Sequence, residues 1–175
     1  MEEFRYDSYC GLYCGSCDIL MAYKKSLETG TTPEWENLPD RVQILNRRPP
    51  TPIICRGCKT DTLFDGCSIC PVQKCARERL KIHQTCLDCK SYPCMRHKLM
   101  NLGKKLLRFD KKLPHSNILP KNVETIREKG LEYWLNEQKL VWECPDCHTA
   151  FSWYQEKCSK CGKDLEPLKD YNNLP

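Results

Sequence analysis

Apolar positions along the chain recur at helical spacing in four stretches and almost never in long runs. Ile19, Leu20, Tyr23 and Leu27 follow one another at helical intervals, which predicts a helix over Asp18 to Glu28 closed by Gly30. Thr32-Pro33 opens a second helical turn through Trp35, and Pro39 another that carries Val42, Ile44 and Leu45. Arg47-Arg48-Pro49-Pro50-Thr51-Pro52 holds three prolines in four positions, so extended backbone is expected there. Residues 53–94 read mostly as turns, with a short helix from Pro71 through Leu80. Met95 to Leu107 predicts a helix with a basic face of Arg96, His97, Lys98, Lys104, Lys105 and Arg108. Asn122 is placed as the N-cap of a helix to about Lys139, with Val123, Ile126, Leu131, Trp134 and Leu135 as its apolar stripe.

Composition changes this picture, because 15 of the 175 residues are cysteine, and 40 % of the chain counts as hydrophobic only with their help. A chain so thin in aliphatic residues has difficulty offsetting conformational entropy through one large core. Something else must hold it together. The total is odd, and six pairs recur as C-x-x-C: 14/17, 55/58, 67/70, 86/89, 144/147 and 158/161. Disulfide frameworks join distant segments, whereas cysteines two apart turn both sulfurs toward one ion. Met1 to Asp7 shows no apolar leader, and no apolar run approaches the ~18 residues of a membrane span. Reduced, metal-bound thiolates in a cytoplasmic protein, away from membranes, are therefore expected. Gly11, Gly15, Gly57, Gly66 and Gly162 each adjoin a cysteine, as tight metal turns with positive φ require.

The clearest module begins at Val141. Cys144-Pro145-Asp146-Cys147 and Cys158-Ser159-Lys160-Cys161 are two knuckles flanking Ala150 to Tyr154, which alternates like a strand. This spacing predicts a zinc ribbon, a β-hairpin whose four thiolates close a tetrahedral zinc site. His148 is expected as an exposed hairpin residue. The expected fold class is thus a small metal-stapled α+β protein, divided into a Cys-rich metal-binding domain at 1–100, a helical linker at 101–140 and the ribbon at 141–170.

Eleven cysteines remain. In one grouping Cys55, Cys58, Cys67 and Cys70 form a closed site, Cys75, Cys86, Cys89 and Cys94 a second, and Cys10, Cys14 and Cys17 a triad with an open position. A repeat supports another. Cys67-x2-Cys70-x4-Cys75 and Cys86-x2-Cys89-x4-Cys94 share one spacing, so the triplets, the triad and the Cys55/Cys58 pair interleave, with His83 or His97 completing twelve ligands. Thiolates serve zinc and iron–sulfur alike, so both zinc and a [4Fe–4S] cluster stay open for these sites. The triad spacing is that of radical enzymes, but a barrel of ~200 residues does not fit around it.

Cys10-Gly11-Leu12-Tyr13-Cys14-Gly15-Ser16-Cys17 resembles the opening signature of the domain-of-unknown-function 3795 family. Cys55-Arg56-Gly57-Cys58, Cys67-Ser68-Ile69-Cys70, Cys75-Ala76 and Cys86-Leu87-Asp88-Cys89-Lys90-Ser91-Tyr92-Pro93-Cys94 resemble its later blocks in order, over about residues 8–100. The resemblance implies a small metal-binding protein of a kind common in anaerobic bacteria and archaea, some of whose members carry a similar helix and zinc ribbon behind the domain. It implies no reaction.

Nothing else in the sequence points to catalysis. Phosphate-binding glycine loops, H-E-x-x-H and G-x-S-x-G are absent, and Asp61, Asp65 and Asp88 read as solvated loop carboxylates. His83, His97, His115 and His148 form no cluster. The function expected is a non-catalytic metal-binding adaptor with a protein partner. The alternatives are an iron–sulfur redox protein and a nucleic-acid-binding ribbon protein that uses Arg96 to Arg108 and Lys111-Lys112. The net charge of +5 gives little support to the last. Fifteen thiolates around four Zn²⁺ carry it to about −2.

Overall fold

A computed structural model describes residues 2–43, 52–79 and 85–171. Its architecture is helical, and among these residues strand pairing is limited to the isolated bridges Asp7–Tyr13, Glu143–Ala150 and Lys157–Asp164. The four long helices are α1 (Asp18–Thr29), α2 (Met95–Leu106), α3 (Leu119–Lys129) and α4 (Leu131–Val141). Helix α1 buries Ile19 and Leu20 and closes at Gly30 with a φ of 68°, while Leu27 stays half exposed. Trp35–Asn37 forms a single 3-10 turn and Asp40–Gln43 a short helix, which deliver Trp35 and Val42 to the core. The helix expected from Pro71 runs over Pro71–Lys74 and continues as a π-turn, Cys75–Arg79. Ile44, Leu45, the stretch 47–51, Leu80 and His83 lie outside the described residues.

Two expectations are corrected. The helix foreseen from Asn122 to Lys139 is two helices, broken at Gly130 with φ 88° and ψ 164°. Asn122 is no cap; it lies inside α3, buried, and its Nδ2–H donates to the Gly11 carbonyl at 2.8 Å. The second correction is the fold class itself. The zinc-ribbon β-hairpin is not formed, so the α+β assignment gives way to a helical, loop-rich architecture. The stretch Ala150 to Tyr154 has the alternation of a strand, but its polar groups are used elsewhere. Trp153 N–H donates to the Ser16 carbonyl at 2.9 Å, and the Ser152 hydroxyl donates to the Asp18 carboxylate. With those bonds made, Phe151, Trp153 and Tyr154 are all buried and no cross-strand ladder remains to build.

The main core consequently draws on residues from Tyr13 to Leu165, with Leu20, Trp134, Trp142, Phe151 and Leu165 nearly or fully sealed from solvent. Tyr13 meets Trp134 edge-on at 6.1 Å, and Trp142 meets Phe151 at 5.6 Å. A smaller cluster of Tyr9, Val72, Ala76 and Cys86 packs against Cys10, Cys58, Cys70, Tyr92 and Met100. The N-terminal segment threads between the cysteine-bearing loops. Arg5 N–H donates to the Arg56 carbonyl at 2.7 Å, and Cys86 N–H donates to the Tyr9 carbonyl at 2.8 Å. Gly57 is required at the first of these crossings. Its φ is 126°, and a Cβ would stand 2.0 Å from the Arg5 carbonyl oxygen. Of the five glycines beside cysteines, Gly11, Gly57 and Gly162 take positive φ, whereas Gly15 and Gly66 do not.

Candidate metal centre

Helix α4 ends at Val141, and the chain then turns twice in the same way. In the first knuckle His148 N–H donates to the Cys144 carbonyl at 2.8 Å and Cys144 N–H to the Thr149 carbonyl at 2.9 Å. In the second, Gly162 N–H donates to the Cys158 carbonyl at 3.0 Å and Cys158 N–H to the Lys163 carbonyl at 2.8 Å. Each turn needs a left-handed residue at its fifth position, which is Gly162 with φ 74° in one and His148 with φ 56° in the other. One bridge closes each knuckle at its base. His148 is exposed, as expected.

These turns bring Cys144, Cys147, Cys158 and Cys161 together with all four sulfurs within 4.8 Å of one another. The closest approaches are 3.5 Å between Cys144 and Cys161 and 3.4 Å between Cys147 and Cys158. A tetrahedron with metal–sulfur bonds of about 2.3 Å has edges of roughly 3.8 Å, so the sulfur set fits a single ion. Cys144 and Cys158 are buried, Cys147 is half-buried and Cys161 exposed. The inner pair is anchored in the core while the outer pair reaches solvent. The hydroxyl and N–H of Thr149 favour the Cys147 thiolate and bring its pKa down to about 6. At Cys161 the Lys163 N–H favours the thiolate, but loss of hydration and three neighbouring thiols carry the pKa to about 12. A cation at the centre removes that mutual repulsion. Thr149 carries no sequence signal beyond its place two residues after Cys147.

Among the described residues, no other set of three or more His, Cys, Asp or Glu donors converges so tightly. The eleven N-terminal cysteines are nevertheless neighbours. Cys14 sits in the 3-10 turn Cys14–Ser16, and Cys17, Cys70 and Cys94 each immediately precede a helix. Burial, followed by Cys58, Cys17 and Cys55, pushes the Cys14 thiol well up, and burial with Cys55 carries Cys17 to about 12. Cys67 is raised by burial and then by Cys17, Cys55, Cys58 and Cys70, and Cys58 reaches about 12 through burial, Cys10 and Cys70. Cys10, Cys14 and Cys17 are thus interspersed among Cys55, Cys58, Cys67 and Cys70. Cys75, Cys86, Cys89 and Cys94 line one narrow cavity with Val72, Tyr92 and His97. His97 is buried there, its Nε2 has no hydrogen-bond partner, and its ring stands edge-on to Tyr92 at 4.8 Å.

Two charged residues with no local sequence signal support this region. Asp7 and Lys59 form a buried ion pair at 2.5 Å, with side chains 3 % and 4 % exposed, and Arg5 reaches the same carboxylate at 3.2 Å. Burial works to raise the Asp7 pKa, but Lys59 and Arg5 outweigh it and the net shift is downward. Lys104 belongs to the basic face of α2, yet it is turned inward. It lines a cavity with Cys10, and burial lowers its pKa against the upward pull of Cys10 and Cys70. By contrast Asp61 is exposed, as are Asp65 and Glu166.

Residues 6–99 match a family described as proteins of unknown function, DUF3795. The chain belongs to that family. All eleven N-terminal cysteines of this DUF3795 member fall within the matched region, and the four-cysteine centre lies beyond it. No curated protein and no solved structure matches the chain. No helix among the described residues is long and apolar enough to cross a membrane.

Proposed function

We propose that this protein is a multi-site thiolate metal binder, acting as a non-catalytic adaptor whose fold is held by zinc. The observation that carries the reading is the convergence of Cys144, Cys147, Cys158 and Cys161, all four sulfurs within 4.8 Å, on two identically bonded knuckles. Four protein thiolates around one ion leave no position for substrate, so the ion there would organise structure. In a [4Fe–4S] cluster each thiolate binds its own iron, which spreads the sulfurs apart. The compact set therefore favours a single ion, and zinc among single ions with four thiolates.

A second reading attaches to the N-terminal cysteines. They are neighbours, Cys55 and Cys86 buried, Cys67 exposed and the others half-buried, without a tight threefold or fourfold convergence among the described residues, a looser arrangement that suits an iron–sulfur cluster serving electron transfer. Metal and acid-labile sulfide analysis of anaerobically purified protein tests both. Colourless protein with about four zinc ions per chain is expected. Brown protein with stoichiometric sulfide, bleached by dithionite, would replace the zinc reading of the N-terminal sites. A nucleic-acid role has less support, because the cations of α2 flank a line of exposed leucines and no aromatic side chains are interleaved with them.

A further inference from the structure

Helix α2 is packed inside out. Met95, Leu99, Leu102 and Leu106 are 66 %, 59 %, 53 % and 73 % exposed, whereas His97 is buried and Met100 and Lys104 are half-buried on the opposite side. At about 100° per residue the four apolar side chains fall within an arc of roughly 60°. Their spacing of four, three and four residues is that of the d and a positions of a heptad, which form a coiled-coil seam and not a broad core face. Amphipathic helices of monomeric proteins bury such a line, and here the line faces out.

The flanks of the seam carry one sign of charge. In the register set by the seam, Arg96 takes an e position and Lys98 and Lys105 take both g positions. None of the three enters an ion pair among the described residues. Gly103 takes the remaining e position, and a Cβ built there meets no atom within 4 Å, so another backbone has room to approach. Charges at e and g select the partner. In an antiparallel pair of α2 helices Lys98 would face Lys105 of the second copy, whereas an acidic partner meets a lysine at both g positions.

We propose that the seam Met95–Leu99–Leu102–Leu106 docks an amphipathic helix of a protein partner whose flanking positions are acidic. Helix α2 is 12 residues long, about 18 Å, so the partner supplies about three turns. The inference rests on the adaptor reading in that it names the class of partner the adaptor holds. Metal content and partner binding are measured separately, so zinc-replete protein that ignores the partner helix fails this inference alone.

The test uses full-length, metal-replete protein and a labelled synthetic peptide of three heptads with Leu at a and d and Glu at every e and g. Its counterpart carries Lys at those flanks, and binding is read by fluorescence anisotropy. The Glu peptide is expected to bind at least about tenfold more tightly than the Lys peptide. Leu99→Ala/Leu102→Ala should lose that binding, and Lys98→Glu/Lys105→Glu should invert the preference. All four substituted side chains face solvent, and circular dichroism checks that the variants fold. Equal affinity for the two peptides, or a preference that survives charge reversal, overturns the proposal. So does sedimentation with phosphatidylserine–phosphatidylcholine vesicles that the leucine variant abolishes while neither peptide binds. A dimer in sedimentation equilibrium that the leucine variant dissociates would assign the seam to a second copy instead.

Discussion

The C-terminal four cysteines and the N-terminal eleven differ in how far along the chain their geometry is determined. Each C-terminal knuckle is shaped within six residues by two backbone hydrogen bonds, and 18 residues from Cys144 to Cys161 contain the whole sulfur set. The N-terminal neighbourhood gathers thiols from Cys10 to Cys94 and depends on long crossings such as Arg5 to Arg56 and Tyr9 to Cys86. Local hydrogen bonding shapes each C-terminal pair within its own turn, whereas the N-terminal thiols are brought near one another by packing between distant segments. The N-terminal region adds a sealed Asp7–Lys59 pair, whereas the ion pair beside the C-terminal centre, Lys163–Asp146, is open to solvent.

Substitutions in both regions break or sharpen that contrast. Cys144→Ser should have the largest effect, because a structural zinc ion contributes about 10–16 kcal/mol of binding free energy to the folded state. One metal equivalent should disappear in elemental analysis. Since Cys144 belongs to the main core, the urea midpoint of the whole chain should drop as well. Full metal content in this variant would erase the distinction between the regions. Lys59→Met comes next, expected to cost about 3–5 kcal/mol in denaturant unfolding by leaving the Asp7 carboxylate buried and unpaired. Adding Asp7→Asn should recover part of that loss, and no recovery would count against the pair as the N-terminal anchor.

His115 tests where the two regions meet. Its ring stacks on Trp153 at 3.9 Å and 5°, is hydrogen-bonded to the Tyr154 hydroxyl, and has a pKa brought down to about 3 by burial and then by Lys104. A histidine depressed from its usual 6.5 binds its proton more readily unfolded, so stability falls as pH drops from about 6.5 toward 3. Asp18, raised to about 6 chiefly by burial, works in the opposite sense, which makes the difference between wild type and His115→Gln the quantity to measure. Between pH 6 and pH 5 the wild type should lose about 1.4 kcal/mol more than the variant; parallel profiles would remove His115 from the account. The smallest effect belongs to the knuckles themselves. His148→Gly should gain about 0.5–1 kcal/mol in thermal unfolding by relieving a left-handed backbone, and Gly162→Ala should lose a similar amount.

Much of the C-terminal centre was legible because two C-x-x-C turns separated by a short loop state their own ligand set. Helix α1 was legible for a similar reason, since Ile19 and Leu20 sit at helical spacing and Gly30 closes it. The strand expected at Ala150 to Tyr154 failed because alternation reports which side chains are buried and not which acceptor takes each N–H; Ser16 took that of Trp153. Asn122 failed as a cap because its side chain was needed 111 residues away, at Gly11. Gly130 is a visible breaker inside a long helical pattern, and its φ of 88° separates α3 from α4 although the apolar stripe runs through it. The inward turn of His97 and Lys104 had no local signal, for charged and polar side chains default to solvent unless a distant group such as Cys10 calls them in.

The hydrogen bond from Trp153 to Ser16 also bears on synthesis. Ser16 and its neighbouring cysteines leave the ribosome well before Trp153, Tyr154 and Leu165, which complete their core and come about 140–150 residues later. At about 5–20 residues per second that interval is roughly seven to thirty seconds. Even Cys94, the last of the eleven N-terminal thiols, precedes Trp153 by 59 residues, so all of them wait in an unfinished chain, open to oxidation. Any pause in synthesis between Cys94 and Trp153 lengthens that exposure.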